Sequence, residues 1–123
     1  MADIPVKKRS EASIQQDIRI ALGQRPDVLI QRRSVGTFYT RNGTPIKIGH
    51  KGEPDLQGVI SGQKCPNCGH SIHAKPFGIE VKTASGRQRK DQQAYEKNIA
   101  NRVGIIYILA RSVSDALKGL GIK

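Results

Sequence analysis

The sequence predicts a compact α/β domain: a mixed sheet flanked by helices in the order α-β-β-β-β-α-β-α, with a Cys/His loop inserted between the third and fourth strands. Three observations carry that prediction. Apolar residues recur at helical spacing near the start (Ile14, Ile18, Ala21, Leu22), alternate in the middle (Phe77, Ile79, Val81) and run almost unbroken from Val103 to Ala110. These are the patterns of an amphipathic helix, a half-buried strand and a strand covered on both faces. The succession of strand, helix and strand makes a crossover, which sets two parallel strands in one sheet. With 123 residues the chain fits a single core, since a protein of this size buries roughly 65% of its extended surface around one centre.

Residues 1–9 (MADIPVKKR) hold no periodic apolar face and read as a basic flexible arm, either a frayed terminus or a contact for phosphate. Residues 10–123 read as one domain. Ser10 is a capping hydroxyl and Glu11 a first-turn acid, while Gly23 and Pro26 stop the first helix. Val28 to Tyr39 is rich in β-branched and aromatic residues, and Asn42-Gly43 offers the two positive-φ positions of a hairpin turn into Thr44 to Ile48. Gly49 to Pro54 is polar and flexible and leads to a third strand, Asp55 to Ile60. Phe77 to Lys82 forms the fourth strand, with Gly78, Glu80 and Lys82 on the face opposite Phe77, Ile79 and Val81. A second helix, from Gln88 to Arg102, aligns Gln88, Gln92, Tyr95 and Ile99. Val103 to Ala110 is expected in the middle of the sheet. Ser112, with Asp115 three residues on, caps a short closing helix.

Composition narrows the partners. Twenty-one Lys and Arg against ten Asp and Glu give a net charge of +11, which is typical of a chain that meets a polyanion, nucleic acid first. The longest apolar run, Ile105 to Ala110, is far short of the roughly 20 residues of a membrane span, and no hydrophobic segment follows the basic start. A soluble, cytoplasmic protein without a membrane partner is expected. Cys65 and Cys68 are the two cysteines, a spacing that suits a metal or redox pair in a reducing compartment.

The sharpest chemical feature is Pro54-Asp55 followed by Glu80-Val81-Lys82. With Asp55 at the start of one strand and Glu80 on its hairpin partner, two carboxylates stand side by side with an ammonium one step away. Such carboxylates repel each other, and a hard cation such as Mg²⁺, which takes a few carboxylate oxygens and keeps water or phosphate as its other ligands, relieves the repulsion. The ion would stabilise charge on a scissile phosphate and acidify a bound water, with Lys82 orienting or deprotonating that water. A bare Glu-x-Lys says little, since chance places about 0.4 of them in a chain this long. Alone, Glu80 and Lys82 fit an ordinary ion pair and Pro54-Asp55 a turn; the order of elements around them carries the argument.

That order, with SEASIQQDIRIAL, RRSVGTFYTRNG, GHKGEPDLQGV, FGIEVKTASGRQRKDQQAY and VGIIYILARSVSDAL in succession, resembles the VRR-NUC family of the PD-(D/E)xK nuclease superfamily, in its stand-alone phage and bacterial form. The resemblance runs from Glu11 to about Leu120, nearly the whole chain. It implies a restriction-endonuclease-like core and a metal-dependent, structure-selective endodeoxyribonuclease that acts on branched DNA such as four-way junctions, as a homodimer with Mg²⁺ or Mn²⁺. It implies further that Asp55 and Glu80 ligate the metal, that the Val81 carbonyl contributes and that Lys82 is the catalytic lysine. A Gln on the following helix is implied too; spacing favours Gln92, with Gln93 its rival. An acid of the first helix, at Glu11, would reach the metal through water, although Glu11 also fits a plain first-turn acid favoured by the helix dipole. An archaeal-type Holliday junction resolvase has the same core, size and charge. A non-catalytic, zinc-stabilised DNA-binding protein with a nuclease fold is the alternative of another class.

The chain departs from the family at 61–76, where a short turn gives way to a loop containing Cys65-Pro-Asn-Cys68-Gly-His70-Ser-Ile-His73. This has the shape of a zinc knuckle, and Cys65, Cys68, His70 and His73 are candidate ligands of a structural Zn²⁺; the other reading is a polar loop with two free thiols. Arg32, Arg33, His50, Lys51, Arg87, Arg89 and Lys90 surround the acidic motif and would contact DNA phosphates, giving salt-sensitive binding with little sequence preference. Phe38 and Tyr39, as strand residues, are expected in the core, with a wedge at a DNA junction as the alternative.

Overall fold

The structure, a computed structural model, describes residues 9–33, 36–62, 64–70 and 72–122. Helix α1 (Glu11–Gly23) opens at Ser10, whose hydroxyl accepts from the Ser13 N–H at 3.2 Å, and it turns Ile14, Ile18 and Leu22 inward. Arg9, the last residue of the expected arm, is tied back to α1 by an ion pair with Asp17 at 2.5 Å; the rest of that arm lies outside the described residues. The strands β1 (Val28–Arg32), β2 (Gly36–Tyr39), β3 (Pro45–Ile48), β4 (Leu56–Ile60) and β5 (Lys75–Val81) follow. Helix α2 (Lys90–Tyr95) widens into a π-helical segment (Glu96–Ala100) and ends in the short α3 (Asn101–Val103), closed by Gly104 at φ 89°. Strand β6 (Ile106–Ala110) and helix α4 (Val113–Gly119) complete the chain.

The result is a mixed α/β fold with a central sheet flanked by helices. Its strand order is β1-β4-β5-β6, antiparallel through β5 and parallel from β5 to β6. Helices α1 and α4, with Leu120 just after α4, bury Ile14, Ile18, Leu22, Ala116 and Leu120 against Leu56, Phe77, Ile79, Val81, Ile108 and Ala110. The opposite sheet face carries Glu80 and Lys82 beneath α2. Ser112 caps α4 by accepting from the Asp115 N–H at 3.1 Å, and the Asp115 carboxylate accepts from the Arg111 N–H at 2.9 Å. Among the described residues no helix is long and apolar enough to cross a membrane.

Four expectations need correction. The strand expected over 28–39 is two strands: β1 joins the main sheet, whereas β2 pairs, among the described residues, with β3 alone in a separate hairpin. β-propensity reports extended backbone and not the sheet that receives it. The hairpin turn has one positive-φ residue, Gly43 at φ 82°, and not two. Thr40 accepts from the Gly43 N–H and donates to the Thr44 carbonyl, each at 2.9 Å, so the loop is a three-residue turn in which glycine alone takes the left-handed position. Strand β6 lies at the sheet edge. Its apolar run reflects helices on both faces, Tyr95 packing near Tyr107 on one side and α4 on the other. Phe38 and Tyr39 are exposed, at 45% and 71%, because their hairpin stands apart from the core.

One close approach positions the acidic motif. A Cβ at Gly78 would lie 2.5 Å from Cγ of Pro54, which is fully buried, so β5 gives up a side chain to seat the residue before Asp55. Gly78→Ala is expected to destabilise the fold by about 1–3 kcal/mol through overpacking. Gly23→Ala, at a helix end where a Cβ meets nothing within 4 Å, is expected to stabilise it by about 0.4–1 kcal/mol. Urea unfolding of the two variants beside the wild type checks both signs.

Candidate active site

The β4–β5 pairing sets Leu56 opposite Ile79, and one step further along the two strands Asp55 stands opposite Glu80. Asp55 is anchored there: its Oδ2 accepts from the Val81 N–H at 3.2 Å, and its carbonyl accepts from the Arg33 N–H at 2.8 Å. Glu80 is 3% exposed. Its Oε1 accepts from Gln92 Nε2 at 2.5 Å and lies 3.6 Å from Lys82 Nζ, while its Oε2 is buried with no hydrogen-bond partner among the described residues. Burial, and then the negative charge of Asp55, push the Glu80 carboxyl up to about 7 against the pull of Lys82 and Arg89.

Gln92 is held for this contact. Its side-chain oxygen accepts from the Arg89 N–H at 2.8 Å in the first turn of α2, which turns the amide nitrogen toward Glu80. Gln93 is exposed and donates instead to the Gln88 carbonyl at 3.2 Å, so Gln92 is the glutamine that reaches the site. Lys82 is fixed by its N–H, which donates to the Ala110 carbonyl at 3.0 Å. The Arg111 guanidinium braces the loop beyond it by donating to the carbonyls of Thr83 and Gly86 at 2.9 and 2.7 Å.

An open cleft of about 640 Å³ lies over Asp55 and Gln92, with Arg33, Lys51, Arg89 and Lys90 in its wall. Four of the seven expected phosphate contacts thus meet at one place, while Arg32, His50 and Arg87 are exposed and outside the lining. Gly52 is the reason Lys51 can be there: at φ 87° it packs so closely on α2 that a Cβ would lie 2.2 Å from the Asp91 carbonyl oxygen. Glu11 is exposed at the start of α1, outside the cleft lining, with no bond to Asp55 or Glu80 among the described residues.

Sequence reasoning missed Glu53. Its side chain is 8% exposed, accepts from Gln57 Nε2 and the His50 N–H at 2.8 Å each, and lies 3.7 Å from Arg33. Burial alone would raise this carboxyl, but those two hydrogen bonds and the Arg33 charge hold it below its ordinary range. It therefore stays an anion that fixes the cleft wall. An acid standing beside Pro54-Asp55 at the end of a long cationic stretch was the available signal.

In the loop between β4 and β5 the Cys65 N–H donates to the His70 carbonyl at 2.7 Å and the Gly69 N–H to the Cys65 carbonyl at 2.9 Å. The backbone N–H groups of Cys68 and Asn67, with the Cys68 side chain, hold the Cys65 thiol below its usual range. Among the described residues no three His, Cys, Asp or Glu side chains gather at a common point, so His70 and His73 do not join the cysteines. The Asp55–Glu80 pair, with one buried oxygen unpartnered, suits a hard divalent cation that keeps water or phosphate oxygens as its other ligands.

In the metal-free protein Glu80 binds a proton in the folded chain that the unfolded chain releases between pH 4.5 and about 7. Its contribution to stability is thus present at low pH and lost as pH rises through about 7. Glu80→Gln is expected to raise the melting temperature above that range and to leave it unchanged in acid, as thermal unfolding in EDTA across pH will read. Comparison with known protein families, with curated proteins and with solved structures finds no match.

Proposed function

We propose that the protein is a metal-dependent, structure-selective endodeoxyribonuclease of VRR-NUC type, with a restriction-endonuclease-like core, that hydrolyses phosphodiesters in branched DNA. The observation that carries this reading is Glu80: a buried carboxylate faced by a second carboxylate, with one oxygen left without a partner. Burying such a group costs several kcal/mol unless something offsets its charge. Asp55, Glu80 and the Val81 carbonyl would hold Mg²⁺ or Mn²⁺, which when bound supplies a Lewis acid at the phosphate and an acidified water.

The side chains divide the rest of the work. Gln92 holds the Glu80 carboxylate in place. Lys82, beside Glu80, offsets as an ammonium the charge that builds on the phosphate and orients the attacking water, whose proton leaves to solvent. Arg33, Lys51, Arg89 and Lys90 grip the backbone on either side of the scissile bond, by charge and without reading bases. Two copies related by a twofold axis would present two such clefts to a four-way junction. A binding module of the same fold gains nothing from carboxylates that face phosphate, which argues against the non-catalytic reading. For the inserted loop, the lowered Cys65 thiol supports a zinc-bound knuckle on Cys65 and Cys68, with His70 or His73 drawn in by the metal.

Labelled linear, flapped and four-way-junction DNA should be cut with Mg²⁺ and left intact in EDTA. Glu80→Ala and Lys82→Ala are each expected to slow cutting by about 10²–10⁴-fold with junction binding retained. A Lys82→Ala protein that cuts at the wild-type rate would sink the assignment. Metal analysis of protein purified without chelator is expected to give stoichiometric zinc that falls to traces in Cys65→Ser; traces in the wild type would remove the knuckle.

A further inference from the structure

The β2–β3 hairpin is the part of the molecule that the cleft chemistry leaves without a task. Its register sets Phe38 opposite Ile46 and Gly36 opposite Ile48, so Phe38, Ile46 and Ile48 share one face, with Tyr39 on the other. All four are exposed, at 45%, 47%, 41% and 71%. Among the described residues the two strands pair only with each other, and a free-standing hairpin of this length is marginal in water. Such a display of apolar surface is unfavourable unless a ligand covers it.

Three further observations identify that ligand. The hairpin is rooted at the active site: Arg33 before it and Lys51 after it both line the cleft that holds Asp55. Its charge has one sign, for residues 28–52 contain five Lys and Arg and no Asp or Glu. A second copy would therefore meet this surface with like charge, whereas a polyanion meets it with opposite charge. Its apolar content is also partly aromatic. Two of the five Phe and Tyr residues of the chain stand here, while Phe77 and Tyr95 are buried in the body of the fold.

We propose that the β2–β3 hairpin is a base-stacking finger, on which Phe38 and Tyr39 take unpaired DNA bases while Arg41 and Lys47 hold the adjoining phosphates. Any base has a face for an aromatic ring, so the contact selects unpaired DNA without selecting sequence. The inference rests on the nuclease reading for the placing of a branch beside Asp55. Single-stranded bases at a fork would lie on the finger while the duplex arm enters the cleft, which gives the site a means of choosing branched over linear DNA.

The test is fluorescence anisotropy in EDTA with a splayed-arm fork and a fully paired duplex of equal length. Three proteins are compared: wild type, the double variant F38L/Y39L, and the double variant F38Y/Y39F. The Leu variant keeps an apolar side chain at both positions but has no rings, and the swap keeps both rings. Loss of stacking should cost the Leu variant about tenfold or more in fork affinity, with less than about a twofold change on duplex, a residue of phosphate contact alone, and the swap should bind forks like wild type. Equal losses on both DNAs, or no loss on the fork, would overturn the finger. So would a wild-type dimer in sedimentation that becomes monomeric in the Leu variant, since the apolar face would then belong to a second copy. A ring-dependent fork preference without cutting in Mg²⁺ would retire the nuclease and keep the finger; cutting with no such preference would do the reverse.

Discussion

The antiparallel pairing of β4 with β5 is the constraint on which the rest depends. It sets Asp55 against Glu80, and the same register puts Leu56, Phe77 and Ile79 into the core. A slip of one residue would turn every side chain to the other face, exposing the apolar set and burying the acids among helices α1 and α4. The core therefore enforces the geometry of the carboxylates at no separate cost. Two glycines make the pairing possible at this closeness. Gly78 leaves room for Pro54, and Gly58 leaves room for the Phe77 ring and the Leu29 carbonyl of the neighbouring strand.

Charge explains the second layer around that pair. In a chain of +11 acids have no shortage of cationic partners, and among the described residues three find one at the surface: Asp17 with Arg9, Asp27 with Arg25 and Asp91 with Arg89. Glu80 has Lys82 at 3.6 Å and a hydrogen bond from Gln92, yet its carboxyl is still pushed up to about 7 by burial and by Asp55. Glu53, a few residues from Asp55, is the contrast: also buried, it has both oxygens engaged and stays below its ordinary range. Glu53 lines the cleft with both carboxylate oxygens engaged, whereas Glu80 meets the cleft only through Gln92 and keeps one oxygen without a hydrogen-bond partner among the described residues.

Much of this was legible in the sequence. The Ser10 and Ser112 caps, the inward stripe of α1 and the alternation along β5 are local, and local signals survive folding. Asp55 and Glu80 could be paired on paper because adjacent antiparallel strands place their facing ends together whatever the loop between them contains. Other features depend on distant residues. Phe38 and Tyr39 have the composition of core strand residues, and nothing nearby in sequence says that β2 leaves the main sheet after Arg33. The apolar run into β6 reports covered faces and is silent about hydrogen-bonded neighbours. Glu11 matches a motif, but its position is set by how α1 packs on the face opposite Glu80.

The loop between β4 and β5 stands apart from the acidic pair. It joins the end of β4 to the start of β5, so it leaves the hairpin at the end away from Asp55 and Glu80. Five strand residues separate the two ends, roughly 17 Å at the usual rise. A cysteine thiolate there lies beyond coordinating reach of an ion held by the acids, and any metal it binds acts on the loop alone. Lengthening a hairpin loop adds little closure entropy, and the β4–β5 register is held by core contacts on both strands. The close approach of Gly62 to the carbonyls of Ile72 and His73 draws the two arms of the loop together where they leave the sheet. What the loop contains is therefore free to change while the Asp55–Glu80 pair stays where the core puts it.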